Sequence, residues 1–445
     1  MLISAPARAA ALGLLSLLLC VPASRGAEPP RATVDFARPV QRQPSMVGLL
    51  HGVAKTSPAD ALIDPLRPAL WRGIPQTVAF GRAVGAGATP MVVLSDAWGY
   101  PGTNWHSHGA PYVKTKRWAK FAAAAARKAG TATVVWDVWN EPDNAGFWNG
   151  TPEQLASTFA IAERELRAQL GARAIVVGPS LAYYDVGWLR RFLDACLPLG
   201  CRIDALTWHE FPSARQPIGS IADHLREARR EFVEAPRYRP LHIGSLIVNE
   251  MVSRDDQRRP GELVAYFAAL ERGGAGGAAR GCFPLAPPSN GCNDDTLDGL
   301  LTPSGSIRTT ASWWVTRLYA DGVAGRVRTT STSGSLYALA SACSTADGSA
   351  TVLLGSGGRS QRTSGWTVRV AGLRGLPCVG SAHRLAVAVR ALPDVGARSV
   401  RAPSTRARER VGVRDGAATI RIRRVRPHEA IVLEVRAVGP ARRGG

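Results

Sequence analysis

The sequence predicts an α/β protein, a (β/α)8 TIM barrel followed by a C-terminal β-sandwich. Three observations carry that expectation. Short apolar or β-branched runs alternate with helical patterns over roughly 280 residues, against about 250 for a typical barrel. No GxGxxG follows the first of these runs, so a doubly wound dinucleotide fold, the alternative, lacks its phosphate-binding turn. From Arg326 the helical patterns stop, and short alternating runs divided by turns take over.

The expected strands are 46–52 (MVGLLHG), 89–96 (TPMVVLSD), 132–140 (ATVVWDVWN), 173–180 (RAIVVGPS), 203–211 (IDALTWHEF) and 241–250 (LHIGSLIVNE). Helical patterns lie at 114–130, 151–171, 221–235 and 261–274. The second has the strongest signals. Thr151 is placed as N-cap, Pro152 at the first helical position and Gln154 at the capping-box position. Leu155, Phe159, Ala162, Leu166 and Leu170 then form one stripe at helical spacing, and Gly171 stops it. Residues 306–322 read as the last barrel helix, which gives a barrel domain over 32–322. The sandwich is expected over 326–438. Its first hairpin turns at Asp347-Gly348, and 439–445 form a loose tail.

With 445 residues and 45% hydrophobic content, the chain has room for one large domain and a smaller one. Residues 1–26 read as a secretory signal peptide, with a basic early part, an apolar stretch and small residues near Gly26. Cys20 raises a lipoprotein reading, but Leu19 stands where a small residue is wanted. No later stretch reaches the roughly 18 apolar residues of a membrane span. The expected product is secreted or periplasmic. Cys196, Cys201, Cys282, Cys292, Cys343 and Cys378 would then remain, an even set that favours disulfides over zinc because no CxxC occurs. Pairing between neighbours in sequence is the expectation, 196 with 201, 282 with 292 and 343 with 378.

The formal charge is +21, almost all of it from Arg. Such a field attracts polyanions, among them acidic polysaccharide and nucleic acid. The Arg residues are scattered rather than interleaved with aromatics, which argues against a nucleic-acid face.

In a barrel of this kind chemistry sits where strands end. Three ends carry polar residues that are costly there unless paired or used: Asn140-Glu141, His209 and Glu250. Two carboxyl groups across a mouth suit glycoside hydrolysis, one protonated to release the leaving oxygen and one ionised to attack. Trp139-Asn140-Glu141-Pro142, with a second Glu in Val248-Asn249-Glu250-Met251, resembles the retaining glycoside hydrolases of clan A. Within that clan the chain resembles glycoside hydrolase family 39, including the closing stretch LDGLLTPSGSIRTTASWWVTRLYADG.

The resemblance implies Glu141 as general acid/base and Glu250 as nucleophile. It implies that Asn140 binds the sugar 2-hydroxyl and that His209, in WHEFP, orients substrate or nucleophile. Arg72, in LWRG, would keep the nucleophile ionised. It implies no cofactor and no metal, and an activity like that of a β-xylosidase, an α-L-iduronidase or an exopolysaccharide-cleaving enzyme. Two departures bear on the substrate: Met251 follows Glu250 where an aromatic is usual, and Phe283 is the nearest aromatic on the eighth strand.

Glu210 at the sixth strand is a competing carboxylate. Trp98, Trp105, Trp139 and Trp148 fall at strand ends or in the loops after them, where rings can stack on sugar faces. Trp118, Trp188, Trp313 and Trp314 lie in helical patterns and are expected in the core. Trp105-His106-Ser107-His108 suggests a metal loop only weakly, because two His lack a third ligand. A carbohydrate substrate is the expected partner, and the basic charge tilts the expectation towards an acidic polysaccharide. A catalytically silent carbohydrate-binding protein on the same scaffold stays open as the alternative.

Overall fold

The structure, a computed structural model, describes residues 29–438 except 42–43, 74–77, 102–106, 214–215, 284–294, 304–305, 334, 344–347 and 358–362. The signal segment with Cys20 and Gly26, the 439–445 tail, Trp105, His106, Cys292 and Asp347 all lie outside the described residues.

The first strand corrects the sequence reading. β1 (Arg31–Pro39) pairs with strands near the C-terminus, so residues 31–39 belong to the second sheet and not to the barrel. The barrel follows as eight parallel strands in sequence order: β2 (Gly48–Leu50), β3 (Leu70–Arg72), β4 (Thr89–Val93), β5 (Val134–Asp137), β6 (Ala174–Leu181), β7 (Ala205–Glu210), β8 (Ser245–Met251) and β9 (Gly277–Arg280). β2 lies beside β9 and brings the ring to closure. Gly48 permits that approach, because a Cβ there would stand 1.9 Å from the Ala278 carbonyl oxygen.

The helices between them are α1 (Val78–Gly85), α2 (Leu94–Trp98), α3 (Thr115–Lys128), α4 (Pro152–Leu170), α5 (Val186–Leu199), α6 (Ser220–Ala228), α7 (Pro260–Gly273) and α8 (Ala311–Gly322). The capping box of α4 is present: Gln154 N donates to Thr151 Oγ1, and Thr151 N donates to Gln154 Oε1. The predicted stripe of this helix is buried on the barrel. α7 differs, being buried almost all round. Its other side is covered by the second sheet, where Gly261 N donates to the His428 carbonyl. A helix apolar on every face is what that double contact requires. Among the described residues no helix is long and apolar enough to cross a membrane.

The second sheet adds β10 (Arg326–Ser331), β11 (Leu336–Ser341), β12 (Ala350–Ser356), β13 (Ser364–Ala371), β14 (Arg384–Leu392), β15 (Ser404–Gly412), β16 (Ala418–Val425) and β17 (Ala430–Ala437). Its order is β15-β14-β17-β12-β11-β10-β1-β13-β16, antiparallel except where β1 meets β13. It closes over an apolar core of its own that includes Val34, Val352, Val368, Val387, Ile420 and Leu433. This is the sandwich read from the alternating runs.

Cys343 and Cys378 form a disulfide across this core. Cys282 is disulfide-bonded too. Cys196 and Cys201 correct the third expected pair. They are free thiols, buried, with Sγ atoms 2.6 Å apart, longer than the ~2.05 Å of a bond.

Candidate active site

Strand periodicity builds the site. Leu70, Met91, Val135, Val177, Ala205 and Ala279 point inward and plug the barrel. Two residues further along three of those strands come Arg72, Asp137 and Thr207, which the same alternation turns inward one layer nearer the mouth. An apolar layer is thus capped by a polar one.

Arg72 is the centre of that layer and is 2% exposed. Its Nε donates to Asp137 Oδ2 at 2.9 Å, Nη2 to Asn140 Oδ1 at 2.7 Å and Nη1 to Glu250 Oε1 at 2.5 Å. Burial works against its charge, but Asp137, Glu250 and Asp96 together outweigh that and raise its pKa. Asp137, fully buried, also accepts from Ser180 Oγ at 2.6 Å and Asn249 Nδ2 at 2.9 Å. Burial pushes its pKa up, and Arg72 opposes the shift.

Glu250 reaches the mouth through a bulge. Trp208 pairs with Val248, but His209 pairs with Glu250, so Asn249 is an extra residue on β8. In a regular strand Asn249 and Glu250 would point to opposite faces. The bulge lets Asn249 bond inside the barrel while Glu250 meets Arg72. Glu141 arrives from a kink just past β5. Its φ is 46°, its N–H donates to the Ser180 carbonyl, and Asn144 Nδ2 donates to its Oε2 at 2.9 Å.

His209, fully buried, lies between the two carboxylates. Its Nδ1 is 3.1 Å from Glu141 Oε1 and its Nε2 is 3.8 Å from Glu250 Oε1. The carboxylates therefore lie no further apart than one imidazole and two contacts, a reach that covers the roughly 5–9.5 Å found between paired glycosidase carboxyls. Burial raises the pKa of Glu141, but the His209 hydrogen bond and charge, with Asn144 and Arg72, outweigh it and leave the group lowered.

Five residues expected from sequence, Arg72, Asn140, Glu141, His209 and Glu250, thus meet at one mouth. Of the four tryptophans expected to meet sugar, the three among the described residues do not join them. Trp98, Trp139 and Trp148 are 1%, 1% and 3% exposed, which corrects the expectation that they stack on sugar. Trp139 packs edge-on to Trp118 and Trp148, and Trp98 to Trp118 and Phe121. The indole N–H groups donate to the backbone carbonyls of Gly109, Phe147 and Thr151. These rings brace the loops behind the mouth and leave no face for a ligand.

Glu210 turns the other way, into the helix layer, where it accepts from Trp208 Nε1 and lies 2.8 Å from His224 Nδ1. Sequence reasoning missed Asp137, Ser180, Asn249 and Phe211. Asp137 was legible as an inward position two residues after Val135. Phe211 is half-buried beside His209 and Phe283, and a Cβ on Gly281 would meet both its ring and Glu250 Oε2. Among the described residues no group of three or more His, Cys, Asp and Glu is arranged to hold a metal.

Residues 108–243 match the family model described as "Glycosyl hydrolase catalytic core". A comparison with curated protein sequences gives no match. Among solved structures, a Neocallimastix frontalis protein is 16% identical with a TM-score of 0.72, covering 92% of this chain and 100% of its own. A family 39 glycoside hydrolase of Xanthomonas axonopodis pv. citri is 16% identical with a TM-score of 0.62, covering 94% and 100%. A monomeric beta-xylosidase from Caulobacter crescentus CB15 is 14% identical with a TM-score of 0.61, covering 92% and 100%. The resemblance to clan A glycosidases is borne out as a likeness: residues 108–243 match a glycosyl hydrolase catalytic-core model, and the fold is one the chain shares with a family 39 enzyme.

Proposed function

We propose that this chain is an exported retaining glycoside hydrolase acting on an oligo- or polysaccharide. The observation that carries the reading is the convergence of Glu141 and Glu250 on His209 at the barrel mouth, with Arg72 bonded to Glu250 alone of the two. A guanidinium in hydrogen-bond contact favours the ionised carboxylate and fixes its oxygen. That suits Glu250 as nucleophile. Its oxygen bonds to the anomeric carbon, the glycosidic bond breaks, and Glu141 gives its proton to the leaving oxygen. Glu141 then takes a proton from water, whose oxygen attacks the anomeric carbon and frees Glu250.

Glu141 must be neutral for the first step, whereas the unliganded site favours its anion. Bound glycan supplies the change by excluding water from a carboxyl that is already largely buried, and by placing the glycosidic oxygen as an acceptor. Asn140, held by Arg72 Nη2, is positioned for the sugar 2-hydroxyl. Export rests on the apolar N-terminal segment and on the Cys343–Cys378 disulfide, which belongs in an oxidising compartment.

The test is trapping with fluorosugar glycosides bearing a dinitrophenyl leaving group, followed by peptide mapping. A glycosyl ester on Glu250 is expected. An ester on Glu210 removes the site assignment. Glycan binding with no ester, unchanged by Glu250→Gln, makes the chain a silent carbohydrate-binding protein.

A further inference from the structure

The outer face of the sandwich carries a trough that the barrel chemistry does not use. It runs along β14, has a volume of about 650 Å³, and its floor is formed where small side chains sit between long ones. Cross-strand register gives the arrangement directly. In one row Ala386 lies between Arg410 on β15 and Arg436 on β17. In the next row Ala388 lies between Arg408 and Glu434. Rows on one face are two residues apart, about 7 Å along the strand. Two alanines thus leave a furrow whose walls are charged side chains several bonds long.

The walls are predominantly cationic. Four arginines line the trough against one carboxylate on the same face, Glu434, because Glu409 pairs with the core residue Val387 and turns with it to the other face. Glu434 is already matched by Arg390, at 3.1 Å. Arg408, Arg410 and Arg436 are exposed and form no ion pair with another described residue in the trough. Three guanidinium groups standing over a shallow apolar floor would ordinarily repel one another, and an anionic chain laid between them relieves that repulsion.

We propose that this trough is a second glycan-binding site, which holds a uronate-bearing polysaccharide in extended form along β14. Guanidinium forks match carboxylates two oxygens at a time. Glu434 gives the same trough an acceptor for sugar hydroxyl groups, which a polymer carrying both carboxylates and hydroxyls satisfies together. Single-stranded nucleic acid fits less well. No aromatic ring lines the trough to stack a base, and the Glu434 carboxylate repels phosphate. The choice of a glycan over other polyanions rests on the proposed glycosidase activity. The existence of an anion-binding trough does not.

The experiment is affinity electrophoresis of the full chain through gels containing polygalacturonate, carboxyl-reduced polygalacturonate, or a single-stranded DNA oligonucleotide. The native chain and Glu250→Gln should be retarded equally by polygalacturonate and much less by the reduced polymer. R408A/R410A should weaken retention at least tenfold. R421A/R423A removes the same charge from exposed positions on β16, outside the trough, and should change retention less than twofold. Both double variants should melt with the native chain, since all four side chains are exposed.

Equal losses in the two double variants would reduce the effect to net charge and overturn the proposal. So would retention by DNA as strong as by polygalacturonate, or no retention at all. Because Glu250→Gln is included, retention with no trapped ester would sink the glycosidase reading while leaving the trough. An ester with no retention would do the reverse.

Discussion

One imidazole separates Glu141 from Glu250: His209 Nδ1 lies 3.1 Å from the first carboxylate and Nε2 3.8 Å from the second. The ring is fully buried, held under the mouth at the end of β7. It couples the two groups sterically and electrostatically, while Arg72 touches only Glu250. Similar side chains on opposite walls thereby receive different environments, which is the condition for one to work as acid and the other as nucleophile.

Arg72 should therefore affect stability and rate separately. Arg72→Met leaves Asp137 buried with its cation gone, and breaking a buried pair in this way costs about 3–5 kcal/mol. Arg72→Lys keeps the charge but cannot donate from three nitrogens to three partners. It should recover part of the stability yet still lower kcat/KM on an aryl glycoside by about a hundredfold, or ~2.7 kcal/mol of transition-state stabilisation. Urea unfolding and steady-state kinetics on both variants check this. Equal kcat/KM for Arg72→Lys and the native chain would show that Arg72 serves the fold alone.

The lowered pKa of Glu141 predicts a pH signature. A carboxyl whose folded pKa lies below its unfolded value, about 4.3 for Glu, stabilises the fold above that value. The contribution is lost as pH falls through the folded pKa. Native protein should accordingly melt above Glu141→Gln at neutral pH, and the gap should narrow below about pH 4.3. In a His209→Asn background the gap should already be small at neutral pH, because the largest stabilising contact is gone. A gap that stays constant from neutral pH to pH 3 (roughly one unit under the ordinary value) would refute the assignment.

Much of this site was legible from residue positions. Asn140-Glu141 and Glu250 stand at strand ends, and the strand–helix alternation alone places strand ends at one mouth. Arg72 sits on a strand of only three residues, too short for a periodic pattern, and was found through its resemblance to known glycosidases. The bulge at Asn249 was not legible, since a single extra residue leaves no mark in an apolar run. β1 was misplaced for a related reason. Its partners are 288 to 336 residues away (Pro39 to Val327, Arg31 to Thr367), and pairing at that range has no local signature. The tryptophans misled because a loop position in sequence says nothing about which other rings cover it.

The disulfide should stabilise the sandwich more than the barrel. Cys343 and Cys378 close a loop of 35 residues and pack against the sandwich core. A loop of that length is worth about 3–4 kcal/mol by the chain-entropy relation. Cys343→Ser with Cys378→Ser should lower the melting temperature and make the sandwich strands the first to exchange amide hydrogen. Barrel strands that lose protection equally early would show that the two layers unfold as one unit.

Trp139 gives the sharpest contrast between its expected and observed places. A ring stacked on sugar would, on removal, raise KM and leave stability almost untouched. A ring 1% exposed and packed on Trp118 and Trp148 should do the opposite. Trp139→Ala is expected to cost about 3–5 kcal/mol, with the cavity it leaves adding to the lost burial. Trp139→Phe keeps most of the volume and should cost less. In the Phe variant Asn140 and Glu141, the next two residues, lose part of the wall that positions them. kcat should fall there while KM for an aryl glycoside stays within about twofold, since the removed surface never met substrate. A large rise in KM without loss of stability would return Trp139 to the sugar-binding surface.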